Sequence, residues 1–311
     1  MSSARSLPTA WVEDLQVHGD DLVAATNGRA IWILDAVTPL RQLTPSVAGQ
    51  TVHLFAPAPA IRVRRNINHD TPLPPETPMG KNPPTGAILD YALTRDASGP
   101  LTIEILDSRG TVVRKYSSAD APEKVEARRY FAEEWLKPAA PPSAAAGHHR
   151  FVWDLRGPRP KAESYDYSIA AIWGEDTPVE PEGPLVVPGT YTVRLTAGGA
   201  TVTQPLAVSA DPRIPTSRTD LVRQYDLATR TAAEMERTAD ALAQVRARRK
   251  DDPANAKLVA AEKVLGRLSA RLSGLFSTIE SGDAAPSVQA VAELADIHAT
   301  LEKVMGSTRN P

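Results

Sequence analysis

Proline placement constrains this chain more than any other feature. The 28 prolines crowd into 57–84, 138–188 and 205–215, while 216–252 contains none. Proline has no backbone N–H and its ring clashes with the preceding turn, so helix interiors and central strands exclude it. The spacing therefore predicts a proline-rich region of short strands followed by a proline-poor helical region. At 311 residues there is room for at least two domains.

The β-type runs begin early. Leu15 and Val17, then Leu22 to Ala25, then Ile31 to Leu34 are three short apolar stretches. They are separated by His18-Gly19-Asp20-Asp21 and Asn27-Gly28-Arg29, both of which carry turn chemistry. Three such strands make one sheet over residues 1–40, with an apolar face and nothing local to cover it. Residues 41–81 read as a proline-rich, extended connector, with Val52–Phe55 and Ile61–Arg65 as short strand candidates inside it. From 82 to 210 the pattern is that of an antiparallel β-sandwich. Ile88–Leu93 is one strand, and Leu101–Asp107 alternates with period two into the turn Ser108-Arg109-Gly110. Thr111–Tyr116 returns, His149–Leu155 follows, and Gly189–Thr196 turns at Gly198-Gly199 into Thr201–Val208. A long excursion, 156–187, interrupts it as either a surface loop or a strap against a neighbouring domain. Ala121–Leu136 reads as a short helix.

The last hundred residues are helical. Leu221, Tyr225, Ala228, Ala232, Met235, Ala239, Leu242 and Val245 recur at steps of three and four. Leu258 to Ile279 and Val288 to Val304 repeat the pattern. Ser217 or Thr219-Asp220 supplies the first N-cap, Lys250–Pro253 a stop, and Pro286 the third start. These predict a three-helix bundle or long helical hairpin over 211–311.

Two resemblances attach to these residues. The run Val12 to Asp35 resembles the final blade of a sortilin-type β-propeller, as found in bacterial proteins labelled BNR-repeat glycosyl hydrolases. Propeller blades span about 40–45 residues and repeat, whereas one incomplete blade is legible here. The resemblance therefore implies an upstream propeller domain or a separate propeller protein as partner, and a periplasmic or secreted setting. Met1–Pro8 has neither a basic nor an apolar signal region. Residues 82–208 resemble the immunoglobulin-like domain of flagellar hook-capping proteins, through Ile103–Gly110, Trp153-Asp154 and Pro188–Tyr191.

Composition narrows the chemistry. The charges nearly cancel, 35 basic against 37 acidic, so no field favours nucleic acid. Cysteine is absent, which excludes disulfides, thiolate metal sites and a cysteine nucleophile. No apolar run approaches the ~20 residues of a membrane span. Adjacent His148 and His149 point to opposite faces of a strand and cannot share one ion. Glu175, Asp176, Glu180 and Glu182 form an acidic loop that lacks the denser spacing of a Ca²⁺ site. A glycosidase needs two facing carboxylates. Glu104 and Asp107 lie on one hairpin with no place for a sugar between them, and Glu133-Glu134-Trp135 reads more simply as a helix face. Trp153 and Tyr191 sit at core spacing. Tyr165, Tyr167 and Trp173 in the excursion are the candidate binding residues.

The expectation is a non-catalytic accessory or scaffold region without cofactor or metal, binding protein or carbohydrate. The alternatives are a glycoside hydrolase acting on poly- or oligosaccharide, a carbohydrate-binding module, and a protein–protein adaptor working by strand addition at Trp11–Leu40.

Overall fold

The computed structural model describes residues 9–64, 84–122, 139–167 and 179–309. Strands β1 (Val12–His18), β2 (Asp21–Thr26) and β3 (Ile31–Leu34) form an antiparallel meander in that order. Two short helices follow, α1 (Thr38–Gln42) and α2 (Pro45–Ala48). Both have proline in the first turn, where no intrahelical N–H is missed.

Two further sheets enclose one core. The smaller has the order β4 (Val52–Leu54), β6 (Ala87–Leu93), β9 (Gly147–Trp153), with β5 (Ala60–Arg62) belonging to the other. The larger runs β5, β13 (Ala200–Ala210), β12 (Gly189–Ala197), β7 (Thr102–Leu106), β8 (Val112–Ser117). A two-stranded ribbon, β10 (Asp166–Tyr167) with β11 (Val179–Glu180), lies in the excursion. The alternation read from sequence faces inward as expected. Ile103 and Ile105 meet Val193 and Leu195 across the β7–β12 ladder, and Leu89 and Tyr91 line the opposing sheet. Trp153 is fully buried at their centre, with its indole N–H donating to the Arg156 carbonyl at 2.9 Å. Gly86 enters β6 at φ 132°, where a Cβ would stand 2.1 Å from the Trp153 carbonyl oxygen.

The segment expected to be a connector supplies two of these strands. β4 pairs antiparallel with β6 through Val52–Leu93, and β5 pairs parallel with β13 through Ala60–Val208. Both are edge strands of three residues, and Pro57 and Pro59 lie in the link between them, where a missing N–H breaks no ladder. The sandwich is thus mostly rather than wholly antiparallel. The expected helix 121–136 falls almost wholly outside the described residues.

Over its described residues, 156–167 and 179–187, the excursion lies as a strap against the helices. It leaves and returns through a narrow neck, where Gly157 N–H bonds the Pro184 carbonyl and Val186 N–H the Leu155 carbonyl, each at 2.9 Å. Its outgoing limb lies on the helices, with Lys161 paired to Asp240 at 2.8 Å and Glu163 to Arg246 at 2.5 Å.

Helices α3 (Arg218–Asp251), α4 (Ala256–Glu280) and α5 (Val288–Arg309) share a second core. Ser217 caps α3 by accepting the Asp220 N–H, and Asn255 caps α4 by accepting from Lys257 and Leu258. All seven apolar positions read for α4, Leu258 to Ile279, are buried. In α5 the stripe is Ala290, Leu294, Ile297 and Leu301, and Val288 and Val291 fall outside it.

Sandwich and helices are joined by a buried ionic cluster. Arg62 and Arg64 donate to the two oxygens of Asp283, each at 2.5 Å. Arg64 and Arg156 share Glu280 at 3.1 and 3.0 Å, and Thr216 donates to the Asp283 carbonyl at 2.6 Å.

Candidate interaction surface

The N-terminal meander leaves much of its apolar surface exposed. Cross-strand register places Leu15, Val17, Leu22, Ala24, Trp32 and Leu34 on one face, because directly paired residues of a sheet point the same way. Val23, Ala25, Ile31 and Ile33 occupy the other face together with Asp14, Gln16, His18 and Asp21. The first face is therefore apolar, and the second is apolar along β3 and polar along β1. Trp11, Leu15, Val17, Ile31 and Ile33 are between 57 % and 81 % exposed. Among the described residues, β1 and β3 each pair only with β2, so both outer edges carry unpaired backbone groups. β2 and β3 carry apolar residues on both faces, the pattern of strands covered on both sides, whereas β1 alternates apolar with polar residues.

The meander is attached at one end. Its β1–β2 turn grips the segment leading into α1: Val37 N–H bonds the Asp20 carbonyl at 2.7 Å, Thr38 donates to the Asp20 carboxylate, and Arg41 donates to the Gly19 carbonyl at 2.9 Å. The other end of β3 leads to Ala36, a non-glycine residue at φ 54°, whose N–H bonds Asp21. Arg150 on β9 reaches both flanking carbonyls, Asp35 at 3.2 Å and Ala36 at 3.0 Å. The same guanidinium grips the buried Asp90 carboxylate on β6 in a two-pronged pair at 3.0 and 3.1 Å. His148 stands 3.6 Å from Asp90. Burial pushes the His148 imidazole below its ordinary range, with Asp90 pulling the other way. Burial and the neighbouring Asp21 raise the Asp35 carboxyl against the opposing pull of Arg150. None of Asp20, Asp90 and Arg150 was singled out by the sequence, because pairing over 60 residues leaves no local pattern. The turn at Asp20 was legible only as a turn.

The residues expected to carry a binding face are placed as follows. Tyr165 is half-buried in the strap, with its hydroxyl donating to Pro160 at 3.0 Å and accepting from Ala162 at 3.1 Å. Arg159 lies over its ring at 5.9 Å. Tyr167 pairs with Val179 in the short ribbon, and Trp173 lies outside the described residues. Tyr191 belongs to the sandwich core. Glu104 is paired with Arg194 at 2.8 Å, while Asp107 accepts the Arg109 and Thr111 N–H groups in its turn. His148 and His149 face opposite ways, the first toward Phe55 and the second toward Tyr91. Glu182 pairs with Arg156 at 2.9 Å; Glu175, Asp176 and Glu133 to Trp135 lie outside the described residues. Among the described residues no group of three His, Asp or Glu side chains has a metal-holding arrangement, and no helix is long and apolar enough to cross a membrane.

Comparison with protein-family models, with curated proteins and with solved structures returns no match.

Proposed function

We propose that this chain is a non-catalytic scaffold region of an exported, glycosyl-hydrolase-like propeller protein. Its N-terminal sheet is covered by a β-propeller, supplied upstream in the same polypeptide or by a separate protein. The observation that carries this reading is the meander, with exposed apolar residues on both faces, Leu15 and Val17 on one and Ile31 and Ile33 on the other, and two free edges. Burying such faces is favourable at about 25 cal/mol per Å², and a large exposed apolar patch marks an interaction site. The resemblance of Val12–Asp35 to a terminal blade supports a β-sheet domain as the occupant. On the same reading, the two sheets over 52–210 are an immunoglobulin-like sandwich of the hook-capping type. The two hairpins Thr102–Ser117 and Gly189–Ala210 and the buried Trp153 support that assignment.

The test is site-specific photocrosslinking in the source cells, with a photoreactive amino acid at Val17 on one face or Ile33 on the other. Both positions are expected to cross-link to propeller sequence, either within a polypeptide heavier than this chain or in a second protein. The proposal is overturned if neither position yields a cross-link beyond the chain's own residues, or if the captured sequence is not a propeller.

A further inference from the structure

The attachment of the meander carries an inference independent of what covers it. The named bonds between the meander and the rest of the molecule gather at one end, at Gly19–Asp21 and Asp35–Ala36. No strand of the meander packs extensively on a strand of the sandwich. Ala36 holds a left-handed backbone conformation, which is strained for a residue with a Cβ and persists only where surrounding bonds enforce it. Arg150 supplies that enforcement from β9, spanning the carbonyls of Asp35 and Ala36 while Asp90 holds its other edge. Beneath the joint lies a cavity of about 80 Å³ bordered by Asp20, Ala36, Thr38, Phe55, Ile88 and Asp90. Close-packed interiors resist rotation of one part against another, and a void at the pivot removes part of that resistance.

We propose that the N-terminal sheet is a hinged arm, pivoting at Ala36 and held in its observed orientation by the Arg150–Asp90 clasp. Arg150 is a positioning residue: it sets the direction in which the sheet is presented without touching what the sheet binds. Asp20 is the second half of the joint, tying the β1–β2 turn to Thr38 and Arg41.

The chain has no cysteine, so spin labels can be placed at will and the arm's orientation read as a distance distribution in the full chain. One label pair spans the joint, on the exposed Gln16 and Thr201; a control pair within the sandwich uses Arg109 and Thr201. Arg150→Met is expected to broaden the Gln16–Thr201 distribution about twofold or more while leaving the control pair unchanged, as loss of a hinge restraint requires. Because Arg150→Met strands a buried Asp90, Arg150→Met combined with Asp90→Asn serves as the second variant. It removes the clasp without leaving an unpaired buried charge, and is expected to broaden the same distribution to a similar degree. The proposal is overturned if the double variant leaves the spanning distribution as narrow as in the parent chain. It is overturned equally if either variant broadens the control pair along with it, since arm and sandwich would then be one cooperative unit.

Discussion

At the residue scale, the positions that fix this fold are those where backbone meets backbone. Gly86 is one: its φ of 132° lies in territory closed to side chains, and a Cβ would overlap the Trp153 carbonyl. Gly183 is the other, with a Cβ placed 2.0 Å from the Gly157 carbonyl oxygen at the neck of the strap. Neither glycine sits in an Asn-Gly or Asp-Gly pair, and neither was singled out by the sequence. Gly86→Ala is therefore expected to destabilise the sandwich by about 2–4 kcal/mol, combining backbone strain with overpacking. Calorimetry checks this as a lowered transition for the β region, and an unchanged transition would show that β6 can shift away from β9 at little cost. Trp153 illustrates the opposite case, since its place in the core was legible from strand spacing alone. Its indole partner, the Arg156 carbonyl, lies just past the end of the strand and was not.

At the element scale, legibility followed periodicity and whether packing partners lay nearby. The seam of helix α4 reads well because its seven apolar positions are buried in the core it shares with α3 and α5. Helix α3 buries more than its apolar seam. Gln224, Thr231 and Thr238 are also buried, Thr231 donating to the Leu227 carbonyl at 2.8 Å and Gln224 to the Ile279 carbonyl at 2.7 Å. Polar residues at buried helix positions escape a hydrophobic count, because their satisfaction depends on local and tertiary hydrogen bonds. At the start of α5, Val288 is apolar yet 81 % exposed. The contrast gives a paired prediction. Leu272→Ala, which hollows the shared core, is expected to cost about 2–5 kcal/mol, and Val288→Ala less than about 0.5 kcal/mol. Urea unfolding of both variants followed by helical circular dichroism measures the difference; equal losses would mean that α5 docks through Val288 after all. Strands β4 and β5 were legible only as short candidates inside a connector, for a different reason. Three residues between prolines carry too short a pattern to outweigh the breakers around them, and only the long strands β6 and β13 give them a ladder.

At the scale of the whole molecule, the cluster of Arg62, Arg64, Arg156, Glu280 and Asp283 decides how sandwich, strap and helices behave together. Arg62 is almost wholly buried in β5 and reaches both the Val186 carbonyl at 2.7 Å and the Asp283 carboxylate on the far side of the joint. Burial alone would raise the Asp283 carboxyl, but hydrogen bonds from Arg62 and Arg64 outweigh it and hold the group below its ordinary value of 3.8. A carboxyl whose folded value is depressed contributes stability that is fully present above its unfolded value and lost as pH falls through the folded one. The joint should therefore be intact at neutral pH and weaken below about pH 4. Asp283→Asn removes the charge at every pH, leaving Arg62 without its carboxylate partner and Arg64 sharing Glu280 with Arg156, a loss of about 3–5 kcal/mol for one partner of a buried pair. Stability measured from pH 7 to pH 2 is then expected to fall more steeply in the parent chain than in Asp283→Asn, with the two curves converging at the acid end. Hydrogen exchange locates the effect: amides of β5 and of the α4–α5 turn should lose protection together, ahead of the helix core. Parallel pH curves would mean that Asp283 sits equally well protonated. The union of sandwich and helices would then rest on the strap and its surface pairs, Lys161 with Asp240 and Glu163 with Arg246, which as exposed ion pairs contribute little.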